Sequence, residues 1–135
     1  MPITISPATS NRFASMTVTD PYTFEEWTAA AATVFASREY RQTAALLIDR
    51  RQSTPPSADL VDRMTRYLAE HEADLRTACV AIVATDDVGF GMARMTQLKI
   101  EFANPHTRVQ TFRDADEAIA WLVAESGKRQ SALFR

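Results

Sequence analysis

The chain has 135 residues, 46% apolar and 24% charged, with a net charge of −2, which suits one ordinary domain and is too short for two. That acidic balance excludes the strongly basic footprint of a nucleic-acid binder, and the longest unbroken apolar run, residues 78–84, is far short of the roughly 20 residues that span a bilayer. Cys79 is the only cysteine and the start Met1-Pro2-Ile3-Thr4-Ile5-Ser6 lacks a basic or long apolar segment, so no secretory signal is expected and a reducing, cytoplasmic setting is.

In chain order, residues 2–6 and 12–20 read as two strands, because Ile3 and Ile5, then Phe13, Met16 and Val18, alternate with polar residues. The polar turn at 7–11 makes them antiparallel neighbours. A helix is predicted over 24–37: Thr23 and Glu26 have capping-box spacing, and Phe24, Trp27, Ala31, Val34 and Phe35 share one face. The run Ala44-Ala45-Leu46-Leu47-Ile48, ending in Asp49, suits a strand covered on both faces. The polar segment 50–56 reads as a loop, with Pro55-Pro56 opening a helix over 56–71 that buries Leu60, Met64, Tyr67 and Leu68.

Residues 77–85 form a second buried strand, and a helix over 88–102 ends at Asn104-Pro105. A short strand at 108–112 leads to a helix over 115–125, which starts at Asp114 and ends near Gly127. Regular alternation after the opening pair predicts a mostly parallel sheet with right-handed crossovers. The whole reads as a single domain over 1–125, followed by a tail at 126–135 that carries Lys128, Arg129 and Arg135 without an acid. A frayed end is the default for such a tail.

Several segments together carry a family resemblance. They are Leu46-Leu47-Ile48-Asp49-Arg50-Arg51, the strand Ala81-Ile82-Val83-Ala84, Phe90-Gly91-Met92-Ala93-Arg94-Met95, and Asp116-Glu117-Ala118-Ile119-Ala120-Trp121-Leu122. In this order they resemble the SpoIIAA-like proteins, grouped with STAS domains and more loosely with CRAL-TRIO lipid-transfer domains. The resemblance implies an α/β fold with a mixed sheet of about five strands, parallel inside, and four helices packed on it. It also implies a non-catalytic binding module, regulatory through protein–protein contact, with an apolar-ligand or peripheral-membrane protein as the alternative. Bacterial STAS regulators carry a switch serine in an Asp-Ser-Ser-Gly motif after the third strand. Here the corresponding stretch is Asp49-Arg50-Arg51-Gln52-Ser53-Thr54-Pro55-Pro56-Ser57, so Ser53, Thr54 and Ser57 are the candidate phosphorylation positions.

Loops beyond the carboxyl ends of parallel strands are the expected ligand crevice. Asp49, Arg50, Arg51 and Arg113 fall there and form a candidate anion or partner site, supported by nearby helix N-termini. The helix over 88–102 has more apolar residues than one face can bury. Gly91, Met95, Leu98 and Phe102 form one stripe, with Gly91 allowing close approach to the sheet. Phe90, Met92 and Ile100 project elsewhere and, with Phe102, form a candidate apolar partner, dimer or ligand surface. Gly89-Phe90-Gly91 lacks the third glycine of a dinucleotide loop, Arg94 standing in its place. His71, His106 and Cys79 have no metal-ligand or catalytic companion at useful spacing. Asp86-Asp87 reads as a helix cap. No metal, cofactor or catalytic residue is expected. The expected partner is a protein or a second copy of the chain.

Overall fold

The computed structural model describes residues 3–6, 13–75 and 77–133. Strands β1 (Ile3–Ser6) and β2 (Ala14–Thr19) pair antiparallel, Ile3 opposite Val18 and Ile5 opposite Met16. The predicted turn at 7–11 lies outside the described residues. Strands β3 (Ala45–Gln52), β4 (Cys79–Val83) and β5 (Arg108–Phe112) then add in parallel. Order in space is order in the chain, β1-β2-β3-β4-β5.

That order decides the layers. Successive right-handed crossovers that always step the same way put their helices on one face of the sheet. The crossover helices are α1 (Phe24–Ala36), α3 (Ala58–Glu70) and α5 (Asp87–Ala103). Their Trp27, Val34, Val61, Met64 and Ile100 form one core with Met16, Val18, Leu46, Val80 and Ile82 of the sheet. Helix α6 (Ala115–Leu133) stands outside the crossovers and covers the opposite face, where Ala118 and Leu122 meet Leu47, Cys79, Ala81 and Val83. Strand β4 is therefore buried on both faces along its whole length, as a continuous apolar run requires.

Four helices are expected from the sequence, and the described residues hold six. The two extra ones are α2 (Arg38–Thr43) and α4 (Glu72–Leu75), both short. Ser37 ends α1 and caps α2, its hydroxyl accepting from the Tyr40 amide at 3.3 Å. Tyr40 is buried, and its phenol donates to the Asp74 carbonyl at 2.6 Å, locking α2 to α4. Burial first, then the nearby Asp74 charge, pushes that phenol well above its ordinary titration range.

Three boundaries move from where the sequence puts them. Strand β3 does not stop at Asp49 but runs to Gln52, because Thr19 of β2 still pairs with Gln52. The register shifts between Thr17 and Thr19, so Arg50 and Arg51 together face Val18 in a bulge. Pro55 and Pro56 stand before α3 rather than in its first turn, and Ser57 is the cap, accepting from the Leu60 amide at 3.1 Å. Helix α6 passes through Gly127 to Leu133. A glycine stops a helix when it takes up positive φ, and Gly127 does not. Inside a helix it costs only about 1 kcal/mol, and the neighbouring Ser126 holds the turn by donating to the Thr43 carbonyl at 3.3 Å.

Candidate functional site

At the carboxyl ends of the strands lies an open depression of about 570 Å³, bordered by Asp20, Arg51, Gln52, Ser53, Thr54, Pro55, Asp86 and Val88. The predicted anion-site residues are all near this end, but they do not converge. Arg50 follows Leu46 and Ile48 onto the three-helix face of the sheet, and Arg51 lies on the other face with Asp49. Arg50 turns toward the three-helix layer, donates to the Tyr22 phenol at 2.9 Å and lies 5.6 Å from its ring centroid. Arg51 turns back on its own strand and grips Asp49 with two guanidinium bonds of 3.0 and 2.8 Å, while its amide gives Asp49 a third.

Those donors, the Arg51 side chain first, hold the Asp49 carboxyl below its ordinary range. Arg51 is also favoured electrostatically by Asp114 and Asp116 at the start of α6. Arg113 is committed too: it donates to the Thr85 carbonyl, pairs with Asp87, each at 2.9 Å, and lies 4.4 Å from the Phe90 ring centroid. A free anion would have to displace these partners, and it would meet Asp20 and Asp86 on the same rim.

The three candidate hydroxyls differ in their state. Ser53 donates to the Arg50 carbonyl at 3.2 Å, and Ser57 caps α3. Thr54 is exposed; its amide is held by the Asp20 carboxylate, and its hydroxyl makes no hydrogen bond among the described residues.

Helix α5 reverses the sequence expectation. The face toward the sheet carries Ala93, Gln97 and Ile100, with Asn104 just beyond the helix. Gln97 fixes this rotation, because the buried Thr111 hydroxyl of β5 donates to its Oε1 at 2.9 Å. Lys99, bonded to Asp62 of α3, ties the helix laterally. Ile100 is thus core rather than surface, and Met92 and Phe90 are half-buried. The opposite stripe exposes Val88 (66%), Gly91, Leu98 (59%) and Phe102 (90%) to water instead, while Met95 within it is half-buried and packs against the three-helix core. Gly91 does not touch the sheet: a Cβ there would meet nothing within 4 Å. The glycine that packs is Gly89, whose amide donates to the capping Asp86 carboxylate at 2.6 Å.

Sequence reasoning named Phe102 and missed Val88 and Leu98 as surface. The signal was present, since 88, 91, 95, 98 and 102 alternate steps of three and four. Two small apolar cavities, about 30 and 40 Å³, share Trp27, Ile48, Leu68 and Ile100 in their walls.

An open α/β sheet in sequential strand order, with three crossover helices on one face and a lone helix on the other, is the SpoIIAA-like fold, and the likeness to a solved structure bears this out. That structure is of an uncharacterized protein of the DUF3478 family from Shewanella loihica PV-4. It superposes with a TM-score of 0.59 over 89% of this chain and 91% of its own, at 15% identity. At that identity the likeness concerns the fold. No family model and no curated protein matches the sequence. Among the described residues, no helix is long and apolar enough to cross a membrane.

Proposed function

We propose that the chain is a non-catalytic binding module that works by contact with another protein through the water-facing side of α5. One observation carries this reading: an apolar stripe on that side, ending in a phenylalanine that is 90% exposed. Burying a leucine or phenylalanine is worth about 1.5–3 kcal/mol, and Leu98 and Phe102 forgo most of that in the free chain. Three large apolar side chains exposed along one helix face fit an interaction surface.

The alternative, an apolar small molecule, finds less support. Ligand pockets run to roughly 300–1,000 Å³, far above the cavities of about 30 and 40 Å³ in the core. A membrane surface is also disfavoured. The rim of the stripe mixes Arg94 and Lys99 with Asp87 and Glu101, whereas interfacial helices carry a Lys/Arg-rich polar face. Regulation enters through Thr54, where a phosphate would face the Asp20 carboxylate and open the loop by repulsion.

Photo-crosslinking from position 102 in living cells, with position 70 as an exposed control, tests the reading. Protein adducts specific to position 102 support it; adducts equal at both positions overturn it. Native mass spectrometry of the freshly purified chain is the complement. A retained lipid in stoichiometric amount counts against the protein reading, and absence of covalent phosphate on 49–57 removes the switch.

A further inference from the structure

We propose that the partner seated on this stripe is a second copy of the chain, with two α5 helices packed antiparallel about a twofold axis. The proposal rests on the reading of α5 as a protein-binding face and adds who binds it and in which register. Val88, Gly91, Met95, Leu98 and Phe102 occupy the two seam positions of a heptad repeat on the side of α5 opposite Ala93 and Ile100. Such a seam packs knobs into holes against a like seam.

Shape selects the antiparallel register. Sliding one helix against its twin until Met95 meets Leu98 of the other copy brings Phe102 level with Gly91 of that copy. The most exposed large side chain then enters the one seam position without a side chain, where there is open space around the Cα. The twofold repeats the contact, so both phenylalanines are housed by both glycines. A parallel pair would stack Phe102 on Phe102 and leave two glycines facing each other over a gap.

Charge selects the same register. Arg94 and Glu101 occupy the same flanking position of successive heptads. In an antiparallel pair that flank meets its own kind, so Arg94 of each copy lies beside Glu101 of the other. Arg94 has no ion pair among the described residues and is exposed. The opposite flank sets Met92, half-buried on its own core, beside Lys99, whose ammonium stays with Asp62 while its stem lies along the seam. A parallel pair would instead set Arg94 against Lys99, two cations. Helix α5 has 17 residues and is about 25 Å long at 1.5 Å per residue. One helix per copy gives less than the roughly 1,600 Å² of a standard interface, so self-association in the micromolar range is expected.

Sedimentation equilibrium from about 1 to 500 µM, spanning that affinity range, is the test. The wild-type chain is expected to dimerise, and Arg94→Glu or Glu101→Arg alone to weaken the dimer at least tenfold. An equal mixture of the two variants is expected to recover wild-type affinity as a heterodimer, because one copy then carries two acids and the other two bases. Gly91→Leu strengthens the helix itself yet fills the phenylalanine's seat, so it should weaken the dimer at least tenfold while the chain stays folded. A wild-type monomer throughout, or a dimer indifferent to these variants, or a mixture that fails to recover, each overturns the proposal. Failure here with protein adducts from position 102 intact removes only self-pairing; loss of those adducts as well removes the protein reading of α5.

Discussion

Asn104 is 2% exposed, and neither its Oδ1 nor its Nδ2 has a hydrogen-bond partner among the described residues. Its backbone does the structural work, closing α5 by donating to the Ile100 carbonyl at 2.8 Å and accepting from Thr107 at 3.0 Å. A buried unpaired amide costs about 1–3 kcal/mol, so Asn104→Leu should raise the unfolding free energy by about 1–2 kcal/mol in urea titration. No gain would mean that the amide has a partner in solution. Asp49 is the opposite case, a carboxylate with three donors. Its value is lowered on folding, so its contribution is complete above the ordinary carboxylate range near pH 4. It is lost as pH falls through the lowered value. Arg51 is 45% exposed at the side chain, which limits the pair to under about 1 kcal/mol. Asp49→Asn should therefore cost less than that at neutral pH and flatten the acid limb of stability below about pH 4. An acid limb identical to wild type would rule Asp49 out as its source.

At the scale of elements, the sequence was most readable where local chemistry alone decides. The Thr23–Glu26 capping box is present with both its bonds, and Asp86, Asp114 and Ser57 all cap helices. Ser57→Ala should accordingly cost about 1 kcal/mol by thermal or urea unfolding, with loosened amide exchange in the first turn of α3. Unchanged exchange there would show the cap to be idle. Two features depend on partners far along the chain, and these were not readable. The β3 bulge exists because β2 keeps pairing past Asp49, and nothing in Asp49-Arg50-Arg51 announces that continued pairing. In α5 the spacing gave two stripes but not which one turns inward. The less apolar stripe won, because Gln97 has Thr111 to bond in the core and small Ala93 fits the close packing. Of the four residues expected at an apolar surface, Phe102 alone is fully exposed, while Ile100 is buried and Phe90 and Met92 are half-covered.

At the scale of the whole molecule, the three-helix core is unevenly filled: Val34, fully buried, lines a cavity of about 30 Å³. Val61, equally buried, lines neither that cavity nor the one of about 40 Å³. Adding one methylene to each is a matched test. Val34→Ile should be neutral or stabilise by up to about 0.8 kcal/mol, whereas Val61→Ile should cost about 1–3 kcal/mol by overpacking. Equal effects in denaturant melts would mean that the cavity collapses in solution. The architecture itself was readable, since alternating helices and strands leave few topologies. The sequential strand order was not, because sequence alternation does not say on which side of β3 the next strand adds.

That order has a consequence for how the chain is made. Each crossover helix can dock as soon as the next strand has left the ribosome, so the three-helix face can assemble progressively from its N-terminal side. The other face has no such schedule. Leu47, Cys79, Ala81 and Val83 wait for α6, which follows every strand in the chain. Until then the nascent domain shows an apolar strip to water or to a chaperone. A released chain truncated after residue 114 should bind a hydrophobic dye and aggregate, and one ending at residue 133 should do neither; equal behaviour of the two would show that α6 is not what shields the sheet.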